Sequence, residues 1–229
     1  GLAADQLLPH QCLLCGKFCI DRGVCAACWA GDCPMSAPLC DRCGRPLPHA
    51  VPDQLCRQCW RTPPPLAAIR AGFVYNAFSR ALILRFKHAD GQYLTLILGQ
   101  FLTRHFAALY QPGNLVVPIP LHRHRYLARR CNQSAKLARW LAPVDEFAST
   151  ILLRQYHNKN QAGLNRIQRQ KNVAGVFTVE PKSRPTLSGK PVIFIDDVMT
   201  TRATLTAATN CLLAAGSCPV YGLVLARVL

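Results

Sequence analysis

The chain has 229 residues, half of them apolar and 17% charged, so it can bury a core and is not a disordered or fibrous protein. Its 27 Lys and Arg residues outnumber 11 Asp and Glu residues, and this formal charge of +16 indicates an anionic partner such as a phosphate, a nucleic acid or a membrane surface. The apolar stretches are too short to span a bilayer and no secretion signal is visible, so we expect a soluble, cytoplasmic protein.

Cysteine content and charge divide the chain at the same point. Ten of the 13 cysteines lie within the first 60 residues. Residues 1–65 carry a net charge of +1, whereas residues 66–229 carry +15. Three consecutive prolines at positions 63–65 suit a stiff linker between the two parts. We therefore predict a cysteine-rich module at residues 1–62, a linker at 63–68 and a basic domain at 69–229.

The module contains four Cys-x-x-Cys pairs. Each pair can present two thiolates to one cation, and two pairs complete a tetrahedral zinc site. In a cytoplasmic chain this regular array favours zinc over disulfides or a redox pair. Gly16 and Gly44 follow the second cysteine of a pair, where a tight turn accepts positive φ. The simplest assignment is two structural zinc sites, with an interleaved pairing left open: Cys12, Cys15, Cys25 and Cys28, then Cys40, Cys43, Cys56 and Cys59.

Zinc changes the charge of the module. Each zinc ion with four thiolates carries −2, so two sites lower the module from +1 to about −3. We therefore expect the module to have a structural or protein-contact role. The nucleic-acid surface is expected on the basic domain instead.

Strands and helices alternate in the basic domain, which predicts an α/β fold with ligands at the carboxyl ends of the strands. Asn132 is the expected N-cap of the third helix. The predicted strands are residues 69–75, 115–119, 150–153, 191–195 and 220–228. The predicted helices are residues 78–88, 93–110, 133–141 and 203–215.

The most informative run follows the apolar strand at 191–195. Asp196 and Asp197 stand where that strand is expected to end, and a threonine-rich turn then leads into an alanine-rich helix. Backbone N–H groups at a helix start bind phosphate, and threonine hydroxyls add further donors. Because two carboxylates repel a phosphate, we expect them to face sugar hydroxyls or Mg²⁺. The alternative is a buried strand followed by an ordinary helix cap.

This run resembles the phosphoribosyl-pyrophosphate (PRPP) signature of type I phosphoribosyltransferases, and the whole chain resembles the ComF/GntX family of competence-associated proteins. The likeness rests on the four cysteine pairs, the signature itself and four further segments, residues 72–75, 80–87, 117–133 and 161–177. It implies a type I phosphoribosyltransferase-like fold, with a mostly parallel sheet flanked by helices, plus an N-terminal double zinc ribbon.

The resemblance also implies roles for individual residues. Asp196 and Asp197 would be the catalytic pair that holds the ribose hydroxyls of PRPP, with Mg²⁺ as cofactor. The family has Gly where Arg202 and Arg130 stand, so Arg202 either adds a charged hydrogen bond to a phosphate or fills space that PRPP needs. The implied ligand-binding residues are Val198, Thr200, Thr201, Arg202, Ala203, Thr204, Arg129 and Arg130.

Two functions remain open at this point. The first is a protein of natural transformation that binds PRPP or a related phosphorylated ribose, binds single-stranded DNA and contacts a DNA-uptake helicase or other competence proteins. Such partners could hold it at the inner membrane. The alternative is an active Mg²⁺-dependent phosphoribosyltransferase with an unknown nitrogen acceptor, for example in nucleotide metabolism. For DNA, the basic stretch 121–171 predicts a surface of Arg123, Arg125, Arg129, Lys136, Arg139 and Lys171.

Overall fold

The structure, a computed structural model, describes residues 10–19, 23–31, 34–88, 91–121, 132–155 and 175–229. The strands are β1 (His10–Gln11), β2 (Phe18–Cys19), β3 (Ala68–Val74), β4 (Leu115–Pro118), β5 (Leu152–Arg154), β6 (Phe177–Val179), β7 (Val192–Met199) and β8 (Val220–Arg227). The helices are α1 (Ala26–Trp29), α2 (Arg57–Arg61), α3 (Ala77–His88), α4 (Gly91–Ala107), α5 (Gln133–Leu141), α6 (Arg184–Leu187) and α7 (Ala203–Ala214). Within the described ranges, none of these helices is both long and apolar enough to cross a membrane.

The central sheet has four parallel strands in the order β3-β8-β7-β4. Strand β8, the last along the chain, therefore lies in the interior of the sheet, and β3 and β4 form its edges. Two short antiparallel pairs, β1 with β2 and β5 with β6, lie outside this sheet. The parallel sheet with flanking helices confirms the predicted α/β fold class.

Each face of the sheet has its own apolar core, because successive strand residues point to opposite faces. In β7, Val192 and Phe194 belong to the core that includes Leu205 and Leu212 of α7. Ile193 belongs to the other core, which contains apolar residues of α3, α4 and α5. Burial on both faces explains why β7 begins with four consecutive apolar residues.

Strand β7 is longer than the predicted strand at 191–195. It runs from Val192 to Met199, so Asp196 and Asp197 lie within the strand and not beyond its end. The reason is its neighbour, because Asp196 is in register with Val224 of β8 and Val198 is in register with Ala226. Strand β6 and helix α6 were not predicted at all. They contain only three and four residues, too few to show a period.

The cysteine-rich module covers the exposed edge of the sheet at β3. The backbone N–H of Met35 donates to the Gly72 carbonyl (2.9 Å), and the N–H of Ile69 donates to the Arg42 carbonyl (2.8 Å). Trp29 of the module packs near Phe73, with ring centroids 6.3 Å apart. The module therefore blocks the strand edge that would otherwise be open to pairing with another chain.

Candidate functional site

The eight paired cysteines form two clusters of four. Within each cluster the Sγ atoms all lie within 4.8 Å of one another, and the grouping follows the chain order, without interleaving. The Sγ atoms of Cys12 and Cys28 are 3.8 Å apart, and those of Cys43 and Cys56 are 3.7 Å apart. A tetrahedral zinc ion with Zn–S bonds of about 2.3 Å needs sulfurs about 3.8 Å apart, so both clusters fit zinc. Gly16 and Gly44 have φ of 73° and 65°, the positive values expected for these turns.

The two clusters differ in burial. We call Cys12, Cys15, Cys25 and Cys28 the first zinc site, and Cys40, Cys43, Cys56 and Cys59 the second. In the first site Cys15 is exposed, whereas all four cysteines of the second site are buried. In both, a backbone N–H donates to a sulfur, from Cys25 to Cys12 Sγ and from Cys56 to Cys40 Sγ, each at 3.3 Å. The second site is therefore enclosed by the rest of the chain, while the first borders solvent.

Two arginines of the basic domain reach the second zinc site. Nη1 of Arg202 donates to Cys59 Sγ at 3.3 Å, and Nη1 of the buried Arg227 donates to the Cys43 carbonyl. A zinc ion with four thiolates carries −2, so these two cations offset its charge. The Arg202 side chain therefore lies against a zinc ligand. This contact differs from the two roles predicted from the sequence, which were a hydrogen bond to a phosphate and the filling of space that PRPP needs. The role of Arg202 in phosphate binding stays a prediction.

The acidic pair forms a small polar network on the sheet. Oδ2 of Asp197 is 2.6 Å from Lys87 Nζ, so this carboxylate is ion-paired. Oδ1 of Asp196 accepts a hydrogen bond from the Ser134 hydroxyl (3.4 Å) and another from the Asp197 backbone N–H (2.9 Å). Ser134 lies in the first turn of α5, where the Asn132 side chain caps the helix, as predicted, by accepting from the Ser134 N–H. Helices α3 and α5 thus each supply one partner to β7.

Burial raises the pKa of Asp196 to about 7, and the neighbouring Asp197 carboxylate adds to the rise. Asp196 is therefore easier to protonate than an ordinary aspartate. The neighbouring Asp197 is ion-paired with Lys87. The raised pKa of Asp196 and the ion pair of Asp197 both limit the negative charge of the acidic pair.

We predict that Asp196→Asn removes a pH dependence of folding. The pKa of Asp196 is higher in the folded state than in the unfolded state, so between about pH 4 and pH 7 the folded state binds a proton that the unfolded state has released. The free energy of unfolding therefore falls as the pH rises through this range. At pH 8 the variant should be more stable than the parent by on the order of 2–4 kcal/mol, with a smaller difference at pH 5. Urea unfolding at both pH values measures this. Asp145→Asn, at an exposed carboxylate, is the control, and a gain for Asp196→Asn that is equal at the two pH values would contradict the prediction.

The turn after β7 leads directly into α7. Thr200 and Thr201 are exposed, Thr204 is partly buried, and Arg202 is the N-cap residue without a side-chain cap bond. Helix α7 has twelve residues, and the N–H groups of its first turn have no partners within the helix. The turn is therefore open to solvent beside the acidic pair, as a phosphate site requires.

Several residues of the predicted site lie outside the described ranges, namely Arg123, Arg125, Arg129, Arg130 and Lys171. Of the predicted DNA surface, Lys136 and Arg139 are described. Arg139 is exposed and lies over the Phe147 ring, 5.4 Å from its centroid. Lys87 and Ser134 are neighbours of the acidic pair that the sequence does not predict. Their place at the end of α3 and the start of α5 carried no chemical signal, because only the fold brings these helices to β7.

Several known proteins are similar to this chain in sequence. The sequence profile of the double zinc ribbon domain family matches residues 3–60. The competence protein ComFC of Bacillus subtilis is 32% identical over 205 residues, which cover 86% of this chain and 80% of the relative. The DNA utilization protein YhgH of Salmonella typhimurium is 27% identical over 97% of this chain and 99% of its own length. YhgH of Escherichia coli K12 is also 27% identical, with the same coverage.

Solved structures of phosphoribosyl transferases are also similar to this chain. A hypoxanthine phosphoribosyl transferase of Trypanosoma cruzi is 13% identical, with a TM-score of 0.36 over 65% of this chain and 66% of the other. The hypoxanthine-guanine phosphoribosyl transferase of L. donovani is 15% identical, with a TM-score of 0.33 over 57% of this chain and 67% of the other.

Proposed function

This chain belongs to the ComF/GntX family of competence-associated proteins, and from that membership we propose that it works in DNA uptake. In this role it is a protein of phosphoribosyltransferase-like fold that binds PRPP or a related phosphorylated ribose, and it also binds single-stranded DNA. The names of two relatives, a competence protein and a DNA utilization protein, support this proposal. A DNA-uptake helicase or another competence protein is the expected partner.

The observation that carries the ligand proposal is the position of the acidic pair. Asp196 and Asp197 follow the four fully buried residues at the start of β7, and three residues after Asp197 the turn into α7 begins at Thr200. Carboxylates accept hydrogen bonds from the hydroxyls of a ribose, while N–H and O–H donors of the turn suit its 5′-phosphate. The two halves of a phosphorylated ribose thus meet matching groups within one continuous segment.

Magnesium fits this site by donor chemistry, because carboxylate oxygens are ligands that it prefers. Asp196 and Asp197 would hold the ion together with the oxygens of the bound pyrophosphate, and the ion would offset the charge of that group. Lys87 holds one carboxylate of the pair in the free protein. When a ligand arrives, the lysine can release the carboxylate and pair with a phosphate oxygen, because both partners are anions.

We predict that Asp197→Asn weakens binding of PRPP in the presence of Mg²⁺ by roughly 10- to 100-fold. The amide loses the charge that makes hydrogen bonds to ribose hydroxyls strong, typically about 1.5–3 kcal/mol. Calorimetric titration of the parent and the variant at equal salt measures the change. Asp145→Asn serves as the matched control, and binding of a short single strand of DNA should be unchanged in both variants. Equal PRPP affinity in parent and Asp197→Asn would contradict the ribose assignment.

Turnover of PRPP is the second candidate function, and the same acidic pair favours it. In a phosphoribosyl transfer the bond from C1 of the ribose to pyrophosphate breaks, and a nitrogen of the acceptor forms the new bond. Release of pyrophosphate with a panel of nitrogen bases, measured on the parent and on Asp197→Asn, tests this function. Release that depends on an acceptor and on Asp197 would establish the enzyme.

A further inference from the structure

We propose that the second zinc ribbon carries its own site for single-stranded DNA, which we call the α2 patch. It consists of Arg45, Arg57, Trp60 and Arg61. The three arginines line a cleft of about 460 Å³ together with Gln58 and Thr62. The proposal rests on the DNA-binding part of the proposed function and places it on the module, for which the sequence predicts a structural or protein-contact role.

Helix α2 turns these side chains outward. Its Cys59 is a buried ligand of the second zinc site, which fixes one face of the helix against the metal. At 100° per residue, Arg57 and Arg61 lie on the opposite face, four residues apart and one above the other. Both are exposed, as is Arg45 from the preceding turn. The zinc ligand thus determines where the cationic face points.

The arginines of the α2 patch have no anionic partner among the described residues. No hydrogen bond or ion pair involves the guanidinium groups of Arg45, Arg57 or Arg61 within that part of the chain. The thiolates of the nearby zinc site do not neutralise them either, because Arg202 and Arg227 already offset the charge of that site. Three unpaired cations around one cleft are a binding surface for phosphates.

An exposed aromatic ring completes the α2 patch. Trp60 is 70% exposed, unusual for the largest apolar side chain, and follows Arg57 by three residues on the same helix. Proteins that bind single strands combine cations along the phosphate backbone with aromatic rings on which bases stack. The α2 patch offers both within a few residues. A membrane surface would also attract arginines, but an exposed aromatic ring on the same helix as Arg57 and Arg61 favours stacking with unpaired bases over contact with lipid headgroups.

The net charge of the module concealed this surface. With two zinc ions bound, the net charge of the module is about −3, which predicts that it is unsuited to binding nucleic acid. Its charges are segregated, however, because residues 34–62 contain four arginines and only two aspartates. Arg42, the fourth, is held by the Leu66 and Ala67 carbonyls at 3.5 and 3.4 Å and lies outside the α2 patch. We therefore expect DNA binding to depend on the local positive charge of the α2 patch and not on the net charge of the whole module.

The test uses the full chain and a fluorescently labelled oligodeoxythymidylate of about 12 nucleotides, a length within the range of single-strand sites. Anisotropy titrations compare the parent with Arg57→Gln/Arg61→Gln and with Trp60→Ala. Two matched controls are Lys182→Gln/Lys190→Gln, which removes two exposed charges elsewhere, and Phe18→Ala, at an aromatic ring that is also 70% exposed. Retention of two zinc ions per chain verifies that each variant is folded.

We expect Trp60→Ala to weaken DNA binding about 5- to 100-fold. The double arginine variant should reduce the slope of log K against log salt by about 1.4, which is 0.7 for each phosphate that the arginines no longer neutralise. Both control variants should bind as the parent does, and PRPP affinity should be unchanged throughout.

Three results would overturn the proposal. The first is DNA affinity that is unchanged in both patch variants, and the second is an equally large decrease in the controls. The third is a patch variant that loses binding to anionic phospholipid vesicles while DNA binding stays intact, which would assign the surface to a membrane. Failure of the proposed function looks different, because it shows as a parent that binds neither PRPP nor DNA.

Discussion

Cys43→Ser should leave the protein with one zinc ion instead of two and should unfold the second ribbon. Structural zinc binding and folding are the same transition in such sites, so losing one of four thiolates removes much of the stability. The second site is buried and contacts the basic domain through Arg202, the N-cap of α7, and through Arg227, the last residue of β8. We therefore expect the damage to spread to the sheet and to cost on the order of 5 kcal/mol or more.

Elemental analysis and urea unfolding measure this result. Cys15→Ser is the informative comparison, because it also removes one thiolate but from the first site, where Cys15 is exposed. It should lose one zinc ion with a smaller loss of stability. Cys218→Ser, at an exposed cysteine outside both clusters, should change neither quantity. Equal destabilisation by Cys43→Ser and Cys15→Ser would contradict the idea that the second site supports the sheet.

Gly44→Ala should destabilise the protein by roughly 2–5 kcal/mol, far more than the same change in the first ribbon. Gly44 has φ of 65°, and a Cβ there would overlap the carbonyl oxygen of Ile69 in β3. The turn would have to move away from the edge strand, and the hydrogen bond from Ile69 N–H to the Arg42 carbonyl would stretch. Positive φ and contact with the sheet therefore act together at this position.

Gly16→Ala separates these two causes. Gly16 occupies the equivalent turn of the first ribbon with φ of 73°, but among the described residues, its two chain neighbours aside, no heavy atom would lie within 4 Å of a Cβ there. It should cost only the backbone strain of a left-handed residue, about 1–2 kcal/mol. Thermal unfolding of the two variants at the same zinc content gives the comparison. Similar losses for both would show that the contact between the second ribbon and β3 contributes little.

Features with a local cause were predictable from the sequence. The cysteine pairs, the positive φ at Gly16 and Gly44, and the cap at Asn132 depend on residues that are neighbours along the chain. The α/β fold class was predictable because strands alternate with helices along the basic domain. The position of the acidic pair was predictable as a sequence segment, although its strand proved to extend further, to Met199.

Contacts between distant segments were not predictable in this way. Lys87 pairs with Asp197 across 110 residues, and Arg202 meets Cys59 across 143. No period or motif encodes which helix end meets which strand, because that depends on the packing of the whole domain. Trp60 was not singled out for a related reason. An aromatic residue beside a zinc ligand is expected in a small core, and only the fold shows that its ring faces solvent.

The position of β8 in the sheet also determines the order in which parts of the protein can fold during synthesis. A ribosome makes β3, β4 and β7 before β8, yet β8 lies between β3 and β7, so these two cannot join until it has emerged. The zinc ribbons can take up metal early, but Arg227, the last residue of β8, must arrive before its contact with Cys43 can form. Until β8 has been synthesised, β3 and β7 therefore have unpaired edges, and such edges are prone to aggregation and to binding by chaperones. We therefore expect the metal-loaded amino-terminal part to form first and the sheet to close only after β8 has been made.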